Sequence, residues 1–251
     1  MNFYKEVKKY SLDAPETTLL HRKIILRKKF LYKLYKEFYL DFYNVRKETP
    51  AGEALEIGSG GGFIKDVISD VITSDIQEFE HCDLCFDASK IPFGNSSLSS
   101  IFLMNVLHHL PDPKSFFYEI DRVLKPGGIL YMIEPSNGIW SRFIYKNFHH
   151  EGFEEDAGWE LNDKGRLTSA NMAIPSIIFE RDLETFEVLF PDLKIRSIKH
   201  HTPLRYLLSG GVSHRNVVPG FLYQMVRVLD NLLKCKNFSM FVTIIITRER
   251  I

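Results

Sequence analysis

Disulfide chemistry has little to work with in this sequence, which holds three cysteines, an odd number, in 251 residues. That count excludes a disulfide scaffold and suits a reducing compartment. An excess of charge is missing too: Lys plus Arg and Asp plus Glu number 32 each, for a formal net charge of zero. No global field therefore draws the chain to nucleic acid or to an anionic membrane. Long hydrophobic runs are absent. The strongest, "FSMFVTIII" at 238–246, is too short to span a bilayer and suits a buried strand. The opening "MNFYKEVKKY" has no apolar core of a secretory signal, so a cytoplasmic protein is expected. Repeats and low-complexity segments are absent as well, and no linker marks a second independent unit.

What is present is an alternation of strand and helix patterns. Apolar strand patterns fall at 54–57, 71–74, 83–86, 100–104 and 129–133, with helices expected at 63–69 and 113–124. The second helix has Asp112 as N-cap, Pro113 in its first turn and a "KPGG" terminator at 125–128. Such alternation with short links predicts an α/β, doubly wound, mostly parallel sheet. One domain spanning 1–251 is expected. Its parts are a helical N-terminal segment (1–50), a ligand-binding core (51–135), a lid insertion (136–175) and a C-terminal part of the sheet (176–251). A helical insertion at 202–236 interrupts that last part. A helix is expected over 19–42.

The stretch "LEIGSGGG" ends the first strand in an acid and a glycine-rich turn. Glycine admits positive φ and lets a ligand approach the backbone. Dinucleotide sites space their glycines G-x-G-x-x-G; here Gly58, Gly60 and Gly62 give G-x-G-x-G, and Phe63 stands at the sixth position. Glu56, just before the turn, would repel a pyrophosphate and attract a cation. Ligands in such sheets lie beyond the carboxyl ends of the strands. Those ends supply Asp75 after the second strand, Asp87 and Ala88 after the third, Asn105, His108 and His109 after the fourth, and Glu134 after the fifth.

Together "LEIGSGGG", "TSDI", "FDASKIPF", "NVLHHLPDP" and "RVLKPGGILYMIEP" resemble, in order and spacing, the small-molecule branch of the class I S-adenosylmethionine-dependent methyltransferases. The resemblance covers about a third of the chain, residues 54–135. It implies a Rossmann-like seven-stranded sheet whose last strand is antiparallel, and S-adenosylmethionine as cofactor. It implies that Glu56 and the turn Gly58, Ser59, Gly60 and Gly62 meet the methionine end, and that Asp75 holds the ribose. Ile76 would pack on the adenine, Asp87 and Ala88 would bond it, and Asn105 would line the methionine part. The long insertion between the last two strands departs from the family. The asparagine–proline–proline–aromatic signature familiar from amino-group methylation of nucleic acid and protein is absent, and "NVLHHLPD" stands after the fourth strand instead. An NAD-dependent oxidoreductase and a non-catalytic cofactor-binding protein are the alternatives.

A hydroxyl acceptor would need a general base, and histidine suits neutral pH. His109, on the loop after strand four, and His149 and His150, in "NFHHEGFEED", are the candidates. The carboxylates of that stretch read as solvated, and no metal is expected. Cys82 and Cys85 lack the second ligand pair of a structural zinc. They lie in a strand-like stretch that would send the two thiols to opposite faces. The expected partner is a small-molecule acceptor, such as a sugar, a lipid-linked glycan or another metabolite, rather than nucleic acid. The basic helix 19–38, with its stripe Leu20, Ile24, Leu31, Leu34, Tyr35 and Phe38, offers a membrane or lipid-linked contact, or docks on the sheet.

Overall fold

The computed structural model describes residues 7, 9–161, 165 and 168–249. Seven strands form one sheet: β1 (Glu53–Ile57), β2 (Val71–Asp75), β3 (Leu84–Cys85), β4 (Leu98–Met104), β5 (Leu124–Pro135), β6 (Leu193–His201) and β7 (Phe241–Arg248). Their order is β3-β2-β1-β4-β5-β7-β6. The pairs among β1 to β5 are parallel, whereas β7 runs antiparallel to both β5 and β6. β4 is buried along almost its whole length, as a central parallel strand covered on both faces must be. β1 and β4 lie side by side where the strand order reverses, so the loops after them open the crevice that such sheets use for ligands.

Helix α1 (Pro15–Arg27) and helix α2 (Lys29–Arg46) stand where one helix was expected. The break is Lys28, extended at φ −84° and ψ 90°. Its buried ammonium donates to the carbonyls of Gly211 (2.5 Å) and His214 (2.8 Å). Burial lowers its pKa to about 8. The apolar stripe Leu20, Ile24, Leu31, Leu34, Tyr35 and Phe38 is buried, so packing within the domain accounts for it, while Leu19, Leu26, Leu40 and Tyr43 of the same helices are exposed.

Residues 63–69 are not an α-helix; a single 3₁₀ turn, Ile64–Asp66, follows the glycines. Only residues 63–70 separate the turn from β2, and so short a helix nucleates poorly. The N-terminal helices cover the site instead. Tyr32 stacks on Phe63 at 4.6 Å, the Tyr39 hydroxyl accepts the Phe63 N–H (3.2 Å), and Phe42 packs on Phe102 at 4.7 Å. Helix α3 (Pro113–Val123) follows its pattern: the Asp112 side chain accepts from the Ser115 N–H at 3.0 Å, and Phe116, Phe117, Ile120 and Val123 are buried. β5 begins at Leu124, so the "KPGG" stretch lies inside the strand rather than ending the helix in a loop.

The segment 136–175 opens with helix α4 (Ile139–Phe148). Its Tyr145 hydroxyl donates to the Met240 carbonyl, and Phe153, Trp159, Met172 and Ala173 are buried. It is a packed wall rather than a loose flap. The insertion before β7 is anchored by buried Arg205, whose guanidinium pairs with Asp230 (2.5 Å) and Glu37. β3 holds only two residues, so Cys82 precedes the strand and both thiols are free.

Candidate active site

The glycine turn is shaped by close approaches. The Ser59 N–H donates to the Ser74 carbonyl (2.8 Å) and the Gly60 N–H to Asp75 Oδ2 (2.9 Å), tying the turn to the end of β2. Gly58 sits at φ +70°, and a Cβ there would lie 2.5 Å from a Val106 methyl carbon. Both the left-handed backbone and the contact require glycine. Asn105 is also left-handed, at φ +56°, and its N–H donates to the Ile133 carbonyl (2.8 Å).

These loops open into a cavity of about 550 Å³, a small-molecule size. All thirteen residues expected at the site, from Glu56 to His150, line it. Glu56 is buried at its floor, with the Ser59 hydroxyl donating to its carboxylate (2.5 Å). Burial pushes its pKa up to about 7; the Ser59 hydrogen bond opposes that rise and Asp75 adds to it. Asp75 is 4% exposed and accepts the N–H groups of Gly60 and Gln77 (3.1 Å). Ile76, by contrast, is 53% exposed, a large apolar side chain left facing the opening. Ala88 is buried, whereas Asp87 is exposed and caps its own turn through the Ser89 N–H (2.8 Å).

At the other end of the cavity four imidazoles surround one carboxylate. Glu151 Oε2 lies 3.4 Å from His108 Nε2 and 3.7 Å from His149 Nδ1; Oε1 lies 3.7 Å from His109 Nε2 and 3.5 Å from His150 Nε2. The expectation of solvated carboxylates fails for Glu151, whose side chain is only 10% exposed. Its sole sequence signal was its position directly after the histidine pair. Burial would raise its pKa, but the histidines, His108 foremost, bring it down to about 2.

His108 is the centre of this group. Its Nδ1 lies 2.7 Å from Glu134 Oε2, and Glu134 Oε1 accepts the N–H groups of Val106 and Leu107, each at 2.9 Å. Burial pulls the His108 pKa down, yet Glu134 and Glu151, one at each nitrogen, carry it up to about 9. Glu134 is fully buried and fully bonded, which removes it as a candidate base. His149 is held below its usual pKa by burial, so it is neutral at pH 7.

Residues 55–132 match the methyltransferase-domain family. The chain carries a methyltransferase domain in the fold of the class I S-adenosylmethionine-dependent methyltransferases. No curated protein matches it. Its fold is shared by an S-adenosylmethionine-dependent methyltransferase of Archaeoglobus fulgidus (16% identity, TM-score 0.53, 86% of this chain and 94% of that one). A Thermotoga maritima S-adenosylmethionine-dependent methyltransferase, described as a possible histamine N-methyltransferase, is 17% identical, with TM-score 0.51, over 90% of this chain and 99% of that one. A geranyl diphosphate methyltransferase in complex with S-adenosylmethionine is 10% identical, with TM-score 0.52, over 92% and 90% of the two chains. The oxidoreductase and non-catalytic alternatives are thereby set aside.

The cavity fits its cofactor in its donor chemistry: Glu56 is a buried carboxylate that accepts the Ser59 hydroxyl, in the wall where an ammonium group would neutralise it. Binding an ammonium favours the ionised carboxylate, so it draws a proton off Glu56. Affinity for S-adenosylhomocysteine should therefore fall about tenfold between pH 8 and pH 6, below the free-state value near 7. Calorimetry on the parent and on Glu56→Gln checks this. A slope that survives in the variant would assign the proton to another group.

Asp75 carries a second expectation. Its carboxylate both shapes the turn and stands at the end of β2, where a ribose would lie. Asp75→Ala should weaken S-adenosylhomocysteine binding by about 1.5–3 kcal/mol through lost charge-assisted hydrogen bonds. Asp75→Asn, which keeps one acceptor oxygen, should lose less. Equal affinity in all three proteins would take Asp75 out of the site.

Proposed function

We propose that this methyltransferase acts on a hydroxyl of a small molecule, such as a sugar, a lipid-linked glycan or another metabolite. The supporting observation is that His109, His149 and His150, with Glu151 between them, line the same cavity as the cofactor turn. When bound, S-adenosylmethionine supplies an electrophilic methyl carbon with a good leaving group. The protein's task is then to align the acceptor, exclude water and take a proton. Glu56, Gly58, Ser59, Gly60, Gly62 and Asn105 would hold the methionine end; Asp75, Ile76, Asp87 and Ala88 would hold the nucleoside. Asp87 already caps its own turn, so its part in adenine recognition is shared with the backbone.

The imidazoles take the acceptor proton. His109 Nδ1 donates to the Ser169 carbonyl (3.3 Å), which leaves Nε2 as the ring's accepting nitrogen. Segment 136–175 forms the acceptor wall through His149, His150 and Tyr145. Contact of helices α1 and α2 with a lipid-linked acceptor would use their basic residues and the exposed Leu19, Leu26, Leu40 and Tyr43, because the stripe itself is buried.

Methyl-labelled cofactor incubated with the protein and a cell extract tests the reading. Mass spectrometry should find the label as a methyl ether on a small molecule. Label found on amines, on protein or on nucleic acid would overturn the hydroxyl assignment.

A further inference from the structure

His108, His109 and Glu151 bring one ligand atom each within 4.8 Å of one another, beside the acceptor end of the cavity. We infer that they form a divalent-cation site. Two ligands of a tetrahedral zinc ion, each 2.0–2.1 Å from the metal, lie about 3.3–3.4 Å apart. His108 Nε2 lies 3.4 Å from Glu151 Oε2 and His109 Nε2 lies 3.7 Å from Glu151 Oε1. One ligand atom from each residue lies within 4.8 Å of the other two, and loading draws the three together to the tetrahedral spacing.

The outer contacts have the form of a metal site. Glu134 engages Nδ1 of His108 at 2.7 Å, and the Ser169 carbonyl engages Nδ1 of His109 at 3.3 Å. Each bond commits one nitrogen to the protein and presents Nε2 to the shared point. A carboxylate or carbonyl behind the ring orients metal-binding histidines in this way. Loading displaces the Nε2 proton of His108. A 2+ ion then balances the charges of Glu134 and Glu151, and three protein ligands leave a position open toward the cavity.

The catalytic consequence, though not the binding, rests on the hydroxyl reading. The open position takes the acceptor oxygen, and its proton passes to His149 or His150 on the other side of Glu151. The oxygen bonds the methyl carbon as the carbon–sulfur electron pair returns to sulfur, giving a methyl ether and S-adenosylhomocysteine. His109 is then a ligand rather than the base.

The test uses the full-length protein, stripped with chelator and dialysed against Zn²⁺ or Co²⁺ alone. One bound equivalent is expected, with visible absorption from Co²⁺ in nitrogen and oxygen ligation. Glu151→Gln and His109→Ala should each weaken binding at least tenfold. Both variants should still bind S-adenosylhomocysteine, which certifies their fold and reports separately on the cofactor site. The double variant Cys82→Ser/Cys85→Ser should bind the metal as the parent does. No retained metal, equal affinity in Glu151→Gln and His109→Ala, or loss in the cysteine variant would overturn the site. The labelled-product assay reads the hydroxyl assignment independently of all three results.

Discussion

His109→Ala is expected to lower turnover by roughly 10²–10⁴ while S-adenosylhomocysteine affinity stays within a few-fold of the parent. The expectation follows from placement. His109 ends a 3₁₀ turn, Leu107–His109, that β4 feeds directly into the cavity. Its side chain bonds the Ser169 carbonyl on one nitrogen and faces Glu151 with the other, so its orientation is set before an acceptor arrives. The cofactor turn lies on the loop after β1, and truncating His109 removes none of its contacts. Methyl transfer from a sulfonium needs proton removal only if the acceptor is a hydroxyl or a protonated amine. A thiolate or a free amine is served by alignment alone. Single-turnover rates on the parent and on the three alanine variants at positions 109, 149 and 150 decide between these chemistries. Rates within a few-fold of the parent for all three would leave alignment as the whole mechanism. A pH–rate profile that loses its limb near neutrality only in His109→Ala would make it the base. A loss that tracks bound metal would make it a ligand.

Glu134→Ala is expected to destabilise the fold by about 3–5 kcal/mol, the cost of leaving a buried charge without its partner. Glu134 is wholly buried; one oxygen accepts the Val106 and Leu107 N–H groups and the other faces His108. Alanine strands two backbone donors and the imidazole together. Equilibrium urea unfolding reads the loss, and a change under 1 kcal/mol would mean that water replaces the carboxylate at little cost. The pH dependence gives a second handle. The folded-state pKa of His108 lies above its ordinary 6.5, at about 9. Its contribution to stability is therefore complete below 6.5 and is lost as pH rises through 9. The parent should weaken across that window, and Glu134→Ala should weaken much less.

The histidine–glutamate group shows where reading along the chain stops. Position after a strand end was enough to place Glu56, Asp75, Asn105 and His109 around one opening, because a parallel sheet gathers those ends whatever the details of its helices. Glu134 also stood at such an end, yet its bonding to the loop after β4 depends on the spacing of β4 and β5 across the sheet. Glu151 was less visible still. Four histidines meet it from two segments, 108–109 and 149–150, that no short-range pattern connects. The described part of 136–175 is tied to the loop after β4 by the Asn171 N–H, which donates to the His108 carbonyl (3.0 Å), and so brings them together.

The same division runs through the fold. Hydrophobic patterning and turn residues determined where the sheet's central strands lie along the chain, the cap and buried face of α3, the glycine turn and its preference for a cationic ligand. These are local choices, settled by φ, by hydrogen-bond donors within a few residues and by the period of apolar side chains. Tertiary structure decided the rest. It set the Tyr39 hydroxyl on the Phe63 N–H, 24 residues away in sequence, and Phe42 on Phe102. It split the N-terminal helix at Lys28, whose ammonium is held by carbonyls more than 180 residues away in sequence. It buried Glu151 among imidazoles. In each case the deciding partner is distant in the chain, and a buried charge or an unpaired N–H takes the conformation that its long-range partner offers because leaving it unpaired costs more than the local preference is worth.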